Sequence, residues 1–324
     1  MICFHSVKDY YLSGPTAVTL GKFDGLHRGH QLLLSEIGRL QKKGCTGAVF
    51  VLRPGHGPFL TTSVEETKLL DGMGIMAMIE CPFVPEISGM SPQQFAREIL
   101  QDRLHASHVI VGSDFRFGKD RAGDTQFLLQ HGREYGFETK VFPKETYERT
   151  VISSTYIRDT LSRGEMEKAN AMLGRPYSVS GTIIHGAHLG TGIGMPTINL
   201  VPEGAKHLPP NGVYYTLNLL QGRKIPGVTN IGCKPTVNGR FKGVETYLYD
   251  TQGDLYALPV ETQLLHFVRP ERKFDSVDEL RKQLEKDRQS GREYFHEQGF
   301  LDRQSVADRD RTRTDCGRDD SCSL

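Results

Sequence analysis

The 324 residues carry 40 lysines and arginines against 39 aspartates and glutamates, a formal net charge of +1. That balance excludes the basic field a nucleic-acid binder needs, and no apolar run approaches the roughly 20 residues of a membrane span. A hydrophobic content of 37% is ordinary for a globular protein, and a chain this long suits two domains.

From the N-terminus to about Gly174, short apolar runs alternate with helical patterns. The opening MICFHSVKDYYL lacks a basic flank followed by an apolar stretch, so no secretory signal is expected. Strands are expected at Ala17–Gly21, Ala48–Leu52, Ile75–Glu80, His108–Gly112 and Phe137–Phe142. Helices are expected at His30–Lys43, Val64–Leu70 and Pro92–Leu104, with a further one running from Asp124 through Glu134. Ser91, Pro92 and Gln94 spell a capping box. Such alternation implies an α/β fold, a doubly wound parallel sheet whose ligands sit beyond the strand carboxyl ends.

The first strand runs into GKFDGLHRGH, Gly21 to His30. His27 and His30, three apart at a helix start, point to one side. Free N–H groups there favour an anion, and two imidazole donors add stabilisation for charge growing on phosphate oxygens. Gly21 and Gly25 bend the loop, and Gly29 lets a phosphate approach the backbone. The set suits attack on the α-phosphorus of ATP with pyrophosphate leaving, without a covalent intermediate.

VGSDFRFGKDRAGD follows the fourth strand, with Asp114, Phe115, Arg116 and Phe117 either beside a flat ligand or closing the core. ISSTYIRDTL begins another helix, which Ser154 or Thr155 can cap, with Ile157 and Leu161 facing inward. Arg158 then projects where it can clamp leaving phosphates bidentately.

Beyond GRPY (Gly174 to Tyr177) the pattern changes. Strands expected at Ser178–Ile184, Thr197–Leu200, Val213–Leu220, Val244–Asp250 and Leu258–His266 have no helices between them, as in a small antiparallel barrel. Gly186, Gly190, Gly192 and Gly194 form an amide-rich loop able to wrap phosphates, although no Gly-Lys-Ser/Thr follows. Thr197 and Asn199 share a strand face and offer hard oxygen ligands for Mg²⁺. Glu245 would lie with Tyr247 and Tyr249, either to take a proton from a substrate hydroxyl or on a solvated face. A closing helix from Val277 to Phe295 has Ser276 as its N-cap. Residues 299–324 have little to bury and are expected to be disordered. The six cysteines (Cys3, Cys45, Cys81, Cys233, Cys316, Cys322) form no C-x-x-C pair and fit reduced thiols in a cytoplasmic protein.

Taken together, GKFDGLHRGHQ, MSPQQF, VGSDFRFGKDRAGD, ISSTYIR, LGRPYSVSG, GMPTINL, PPNGVYY, NIGCKPT, VETYLYD and the run from Arg269 to Asp287 make the chain resemble the bacterial bifunctional riboflavin kinase/FMN adenylyltransferases, or FAD synthetases. The resemblance covers about residues 15–295. It implies an HxGH-type nucleotidyltransferase domain over 1–174, a six-stranded kinase barrel over 175–298 and a tail over 299–324. It implies phosphorylation of riboflavin to FMN and adenylylation of FMN to FAD, both using ATP and Mg²⁺, with no nucleic-acid or membrane partner. In the adenylyltransferase half it assigns Gly21, Phe23, Asp24, His27, Gly29, His30, Ser154, Thr155 and Arg158 to ATP, and Asp114, Phe115, Arg116 and Phe117 to the flavin. In the kinase half it assigns Gly186, Gly190, Gly194, Thr197 and Asn199 to Mg-ATP, Glu245 to the base, and Glu245 with Arg269 to the flavin.

Three segments depart from the family pattern. A Phe-x-Pro-His-Pro segment is replaced by LRPGHGPFL (Leu52 to Leu60), a Glu-Lys pair by Glu66-Thr67, and a basic residue of the glycine loop by Thr191. The alternatives are a riboflavin kinase with a weak or inactive adenylyltransferase half, and a flavin-binding regulator without turnover.

Overall fold

A computed structural model describes residues 1–53, 57–82, 85–185, 196–236, 239–251 and 253–301. They fall into two units, residues 1–177 with 203–210, and residues 178–202 with the chain from 211 onward. The glycine loop (Gly186, Gly190, Thr191, Gly192, Gly194) and the tail beyond Leu301 lie outside the described residues.

The first unit alternates strand and helix. Its elements are β1 (Ile2–Phe4), β2 (Thr16–Gly21), α1 (Arg28–Gln41), β3 (Thr46–Arg53), α2 (Ser63–Gly72), β4 (Ala77–Pro82), α3 (Pro85–Ser88), α4 (Pro92–Gln94), β5 (Ala106–Gly112), β6 (Arg116–Phe117), β7 (Gly123–Asp124), α5 (Thr125–His131), β8 (Glu138–Phe142), β9 (Thr146–Tyr147), β10 (Thr150–Val151), α6 (Ser154–Ser162) and α7 (Met166–Leu173). After α4 the helix winds on in π geometry from Phe95 to Arg103. A six-stranded sheet in the order β1-β4-β3-β2-β5-β8 is parallel throughout. Alternate residues feed two cores. Val18, Leu20, Phe50 and Val111 face one, and Ala17, Val49, Val51 and Ile110 face the other with Leu33, Leu34, Ile37 and Leu40 of α1. Apolar side chains on both faces of a strand require cover on both sides, as a doubly wound sheet provides. The order reverses between β2 and β5, which places a crevice beyond the carboxyl ends of those two strands.

The second unit is a closed barrel ordered β11-β12-β15-β14-β13-β16. Its strands are β11 (Tyr177–Ile184), β12 (Thr197–Leu200), β13 (Gly212–Leu220), β14 (Arg223–Thr236), β15 (Gly239–Leu248) and β16 (Pro259–Pro270). Inside, Thr216, Thr229 and Thr246 link hydroxyl to hydroxyl at 2.8 Å, so the buried polar groups are satisfied. Outside, α8 (Val277–Glu297) packs Phe295 against Tyr215, Leu217 and Tyr249. Ser276 caps α8 by accepting from the Glu279 N–H.

Candidate active sites

The first site begins with a strained loop. β2 ends at Gly21, and the chain then turns through Phe23 (φ 48°), Gly25 (φ 83°) and Leu26 (φ 42°) before α1. Left-handed backbone at non-glycine residues costs on the order of 1–3 kcal/mol each and persists only where surroundings enforce it. Arg175 is one enforcer, donating to the carbonyls of Gly25 at 2.7 Å and Leu26 at 3.2 Å. Gln31 Nε2 donates to the Leu26 carbonyl at 2.9 Å and the Leu173 carbonyl at 2.8 Å. A Cβ at Gly25 would meet Leu60 Cδ1 at 2.7 Å on a backbone already in the left-handed region, so a larger residue there would have to displace the Leu60 side chain.

His27 is itself the N-cap of α1: its Nδ1 accepts from the His30 N–H at 3.4 Å. With Nδ1 accepting, neutral His27 carries its proton on Nε2, where it can be donated. The two rings stack at 3.7 Å between centroids, and Gly29 leaves room for them, since a Cβ there would lie 3.2 Å from the His27 ring. Burial, with Arg175 adding to it, pushes His27 down to about 4, and burial with the neighbouring His27 and Arg175 pushes His30 well below the ordinary imidazole range. Both are neutral donors at pH 7. The Nδ1 of His30 is buried with no hydrogen-bond partner among the described residues.

These residues line a cavity of about 360 Å³ with Gly21, Phe23, Gly29, Asp114, Phe115, Arg116 and Ser154. Four of the expected residues lie elsewhere. Phe117 is core, packed on Phe95 and Phe127. Thr155 is exposed. Asp24 Oδ2 holds the Arg158 guanidinium at 2.5 Å, and neither residue lines the cavity. Asp24 Oδ1 accepts from the N–H groups of Leu60 at 2.7 Å and Thr61 at 3.2 Å, and its carbonyl accepts from Ser154 Oγ at 2.8 Å. The helix cap is therefore Ser153, which accepts from the Tyr156 N–H, and Ser154 is left free to tie α6 to the loop. Asp24 works as a junction beneath the site.

The second site is a register effect. Asn199 of β12 stands opposite Glu245 of β15, which stands opposite Asn230 of β14. Thr197 stands opposite Tyr247, and its Oγ1 donates to Glu245 Oε1 at 2.7 Å. Thr197, Glu245, Tyr247 and Asn230 line a cavity of about 420 Å³ whose other wall carries Phe274, Leu280 and Leu284. Arg269 also lines it, with its guanidinium engaged by the buried Asp287 at 2.6 Å. Asn199 is buried in the same strand, outside the cavity lining.

Two family models match, one described as FAD synthetase over residues 12–156 and one as riboflavin kinase over residues 173–295. The bifunctional riboflavin kinase/FMN adenylyltransferase of Escherichia coli is 35% identical, covering 86% of this chain and 92% of that protein. Its counterpart in Listeria monocytogenes is 33% identical, again over 86% of this chain and 92% of that protein. The chain belongs to this family. A crystal structure described as a macrolide-efflux protein from Streptococcus pneumoniae superposes with a TM-score of 0.80 at 28% identity, covering 90% of this chain and 98% of that one. Among the described residues no helix is long and apolar enough to cross a membrane.

The segments that carry two of the departures from the family pattern meet in space. Arg53, in the replaced segment, lies 2.5 Å from Glu66 and 2.8 Å from Glu80. Glu66 is fully buried, and its burial pushes the carboxyl up to about 7 despite Arg53. Residues that sequence reasoning missed include Lys144, which pairs with Asp114 at 2.9 Å at the cavity edge, and Glu145, which holds Arg28 at 2.5 Å. No spacing rule exposes such pairs, because their partners are more than a hundred residues apart or sit in separate loops. Arg175 was visible only as part of GRPY.

Proposed function

We infer that this chain builds flavin cofactors in two ATP-dependent steps, riboflavin to FMN in the barrel and FMN to FAD with release of pyrophosphate in the parallel-sheet unit. What carries the reading is the pair of separate cavities, one over buried neutral histidines at a helix start and one over a strand-face carboxylate. The two family matches span both units. The balanced charge and six cysteines without a C-x-x-C pair support a cytoplasmic enzyme acting on small molecules.

In the kinase step, Glu245 accepts the proton of the riboflavin hydroxyl as that oxygen attacks the γ-phosphorus of ATP, and ADP leaves. The Thr197 hydroxyl orients the carboxylate. The apolar wall of Val213, Val228, Phe274 and Leu280 suits a flavin ring, and Arg269 closes one end. Thr197 offers its hydroxyl beside the Glu245 carboxylate in the cavity, and Asn199, opposite Glu245 but outside the lining, would add a carboxamide oxygen to a hard set suited to Mg²⁺. Mg²⁺ held there would neutralise charge on the ATP phosphates.

In the adenylyl step, a phosphate oxygen of FMN attacks the α-phosphorus and the bond to pyrophosphate breaks. His27 donates from Nε2 and His30 from its ring to the phosphate oxygens, in a buried setting where neutral donors are strong. Gly21, Gly29 and Ser154 frame the phosphates. Arg158, held by Asp24 outside the cavity lining with Thr155 beside it, is assigned to clamping the leaving group. Asp114, Phe115 and Arg116 receive the flavin.

The test uses the full chain with Mg²⁺ and ATP. Glu245→Gln is expected to stop FMN formation from riboflavin while FAD still forms from supplied FMN; His30→Ala is expected to do the reverse. Loss of both activities in either well-folded variant would contradict separate sites, and wild-type protein that makes FMN without FAD would leave a kinase alone.

A further inference from the structure

One stretch of the barrel's sequence does not belong to the barrel. Between β12 and β13 the chain departs, and residues 203–210 are part of the first unit. There the segment pairs with the residues that follow β3. The Phe59 N–H donates to the Ala205 carbonyl at 2.7 Å, and the His207 N–H donates to the Phe59 carbonyl at 2.8 Å. Lys206, between them, is almost wholly buried, as is Glu65, which it meets at 2.5 Å. The Lys206 Nζ also donates to the Leu60 carbonyl at 2.8 Å and lies 4.5 Å from the centre of the Tyr177 ring. The Tyr177 hydroxyl donates to the His207 carbonyl.

A buried ammonium has a high desolvation cost, offset here by the Glu65 carboxylate, the Leu60 carbonyl and the Tyr177 ring. Residues Phe59 to Thr61 are held from two sides. The Phe59 carbonyl is taken by the His207 N–H and the Leu60 carbonyl by Lys206, and the Leu60 and Thr61 N–H groups are taken by Asp24 Oδ1. The Thr61 hydroxyl in turn accepts from the N–H of Gly25 in the strained loop. The remaining Asp24 oxygen holds Arg158.

We propose that residues 203–210 complete the adenylyl-transfer site from within the kinase half of the sequence, with Lys206 as a positioning residue acting through Leu60, Thr61 and Asp24 on Arg158. The inference rests on the assignment of His30 and Arg158 to adenylyl transfer. It makes the first unit incomplete without a piece of chain that follows it by 25 residues, from Tyr177 to Glu203. A misaimed clamp loses transition-state stabilisation more than substrate binding, because it acts on the leaving group as charge develops.

The experiment is Lys206→Met in the full chain, assayed separately with FMN and with riboflavin. The expected result is a fall of about tenfold or more in kcat for FAD formation, since small misplacements cost up to ~10²-fold. KM for FMN and the rate of FMN formation from riboflavin should stay within about twofold of wild type, as expected for a group acting on kcat alone. In an Asp24→Asn background the same substitution should add almost nothing, because both act on one clamp. Should the lone methionine variant fail to fold, Glu65→Gln with Lys206→Met removes both buried charges and reads the same loss. Unchanged kcat for FAD formation, or a loss that multiplies fully with that of Asp24→Asn, overturns the proposal. His30→Ala separates the levels. If it leaves FAD formation intact, the site assignment itself fails; if it abolishes FAD formation while Lys206→Met does nothing, only the positioning role falls.

Discussion

The two cavities are built in opposite ways. In the barrel, Thr197, Asn199, Asn230 and Glu245 are neighbours because adjacent strands pair in one register. In the parallel-sheet unit the histidines are three residues apart in sequence, but their loop is held by residues far along the chain: Arg175, Ser154, Arg158 and the Leu60–Thr61 backbone. A register site depends on backbone ladders that single substitutions leave standing. A loop site held by side chains should lose its geometry when one junction is removed.

The largest effect that sharpens this contrast is expected at Asp24. Asp24→Asn weakens the tie to Arg158 and should lower FAD formation by about 10²-fold, while FMN formation from riboflavin stays at the wild-type rate. Steady-state assays of the two reactions on one preparation check it; an equal fall in both would dissolve the distinction between the sites.

The largest effect on stability is expected from Asp287→Asn in the barrel unit. It leaves Arg269 half-buried without its charge partner, at a cost of about 3–5 kcal/mol. The denaturant midpoint of that unit should drop, and a variant as stable as wild type would show that the pair contributes nothing.

Glu66→Gln addresses a buried group of the first unit. With a folded value of about 7 against an ordinary 4.5, the carboxyl contributes stability in full below pH 4.5, and this is lost as pH rises through 7. Relative to wild type, the glutamine variant should therefore gain up to about 3 kcal/mol between pH 4.5 and pH 8. Urea titrations at the two pH values measure it, and a pH-independent difference would contradict it.

The smallest effect comes from His27. Its folded value of about 4 lies below the unfolded 6.5, so stability is full above pH 6.5 and declines as pH falls towards 4. By pH 5 the loss from this ring is about 2 kcal/mol. His27→Gln should flatten the decline of the denaturant midpoint over that range, and an unchanged slope would mean the ring is not buried neutral.

Much of this was legible in the sequence. The strand–helix alternation, the capping box at Ser91 and the HxGH pair depend on local spacing, and the structure places them as that spacing implies. β14 was not legible, because Pro226, Gly227, Gly232 and Pro235 read as turn signals inside a 14-residue strand. The glycines answer to close approach: a Cβ at Gly227 would meet the Tyr247 carbonyl at 2.7 Å, and one at Gly232 would meet Glu271 at 2.0 Å. β1 is not legible either, being three residues long and pairing, among the described residues, with β4 more than seventy residues on. The cap at Ser153, the core position of Phe117 and the binding of Arg158 to Asp24 all turn on which way a side chain faces after folding. The excursion of residues 203–210 into the first unit has no periodicity to announce it.

The most direct measurement follows labelled phosphorus from ATP into the flavin. With label at the γ-position, riboflavin should yield labelled FMN; with label at the α-position, supplied FMN should yield labelled FAD, and Glu245→Gln should remove only the first transfer. If the α-label never enters the flavin, or if both transfers vanish together in that folded variant, the account of two independent sites is wrong.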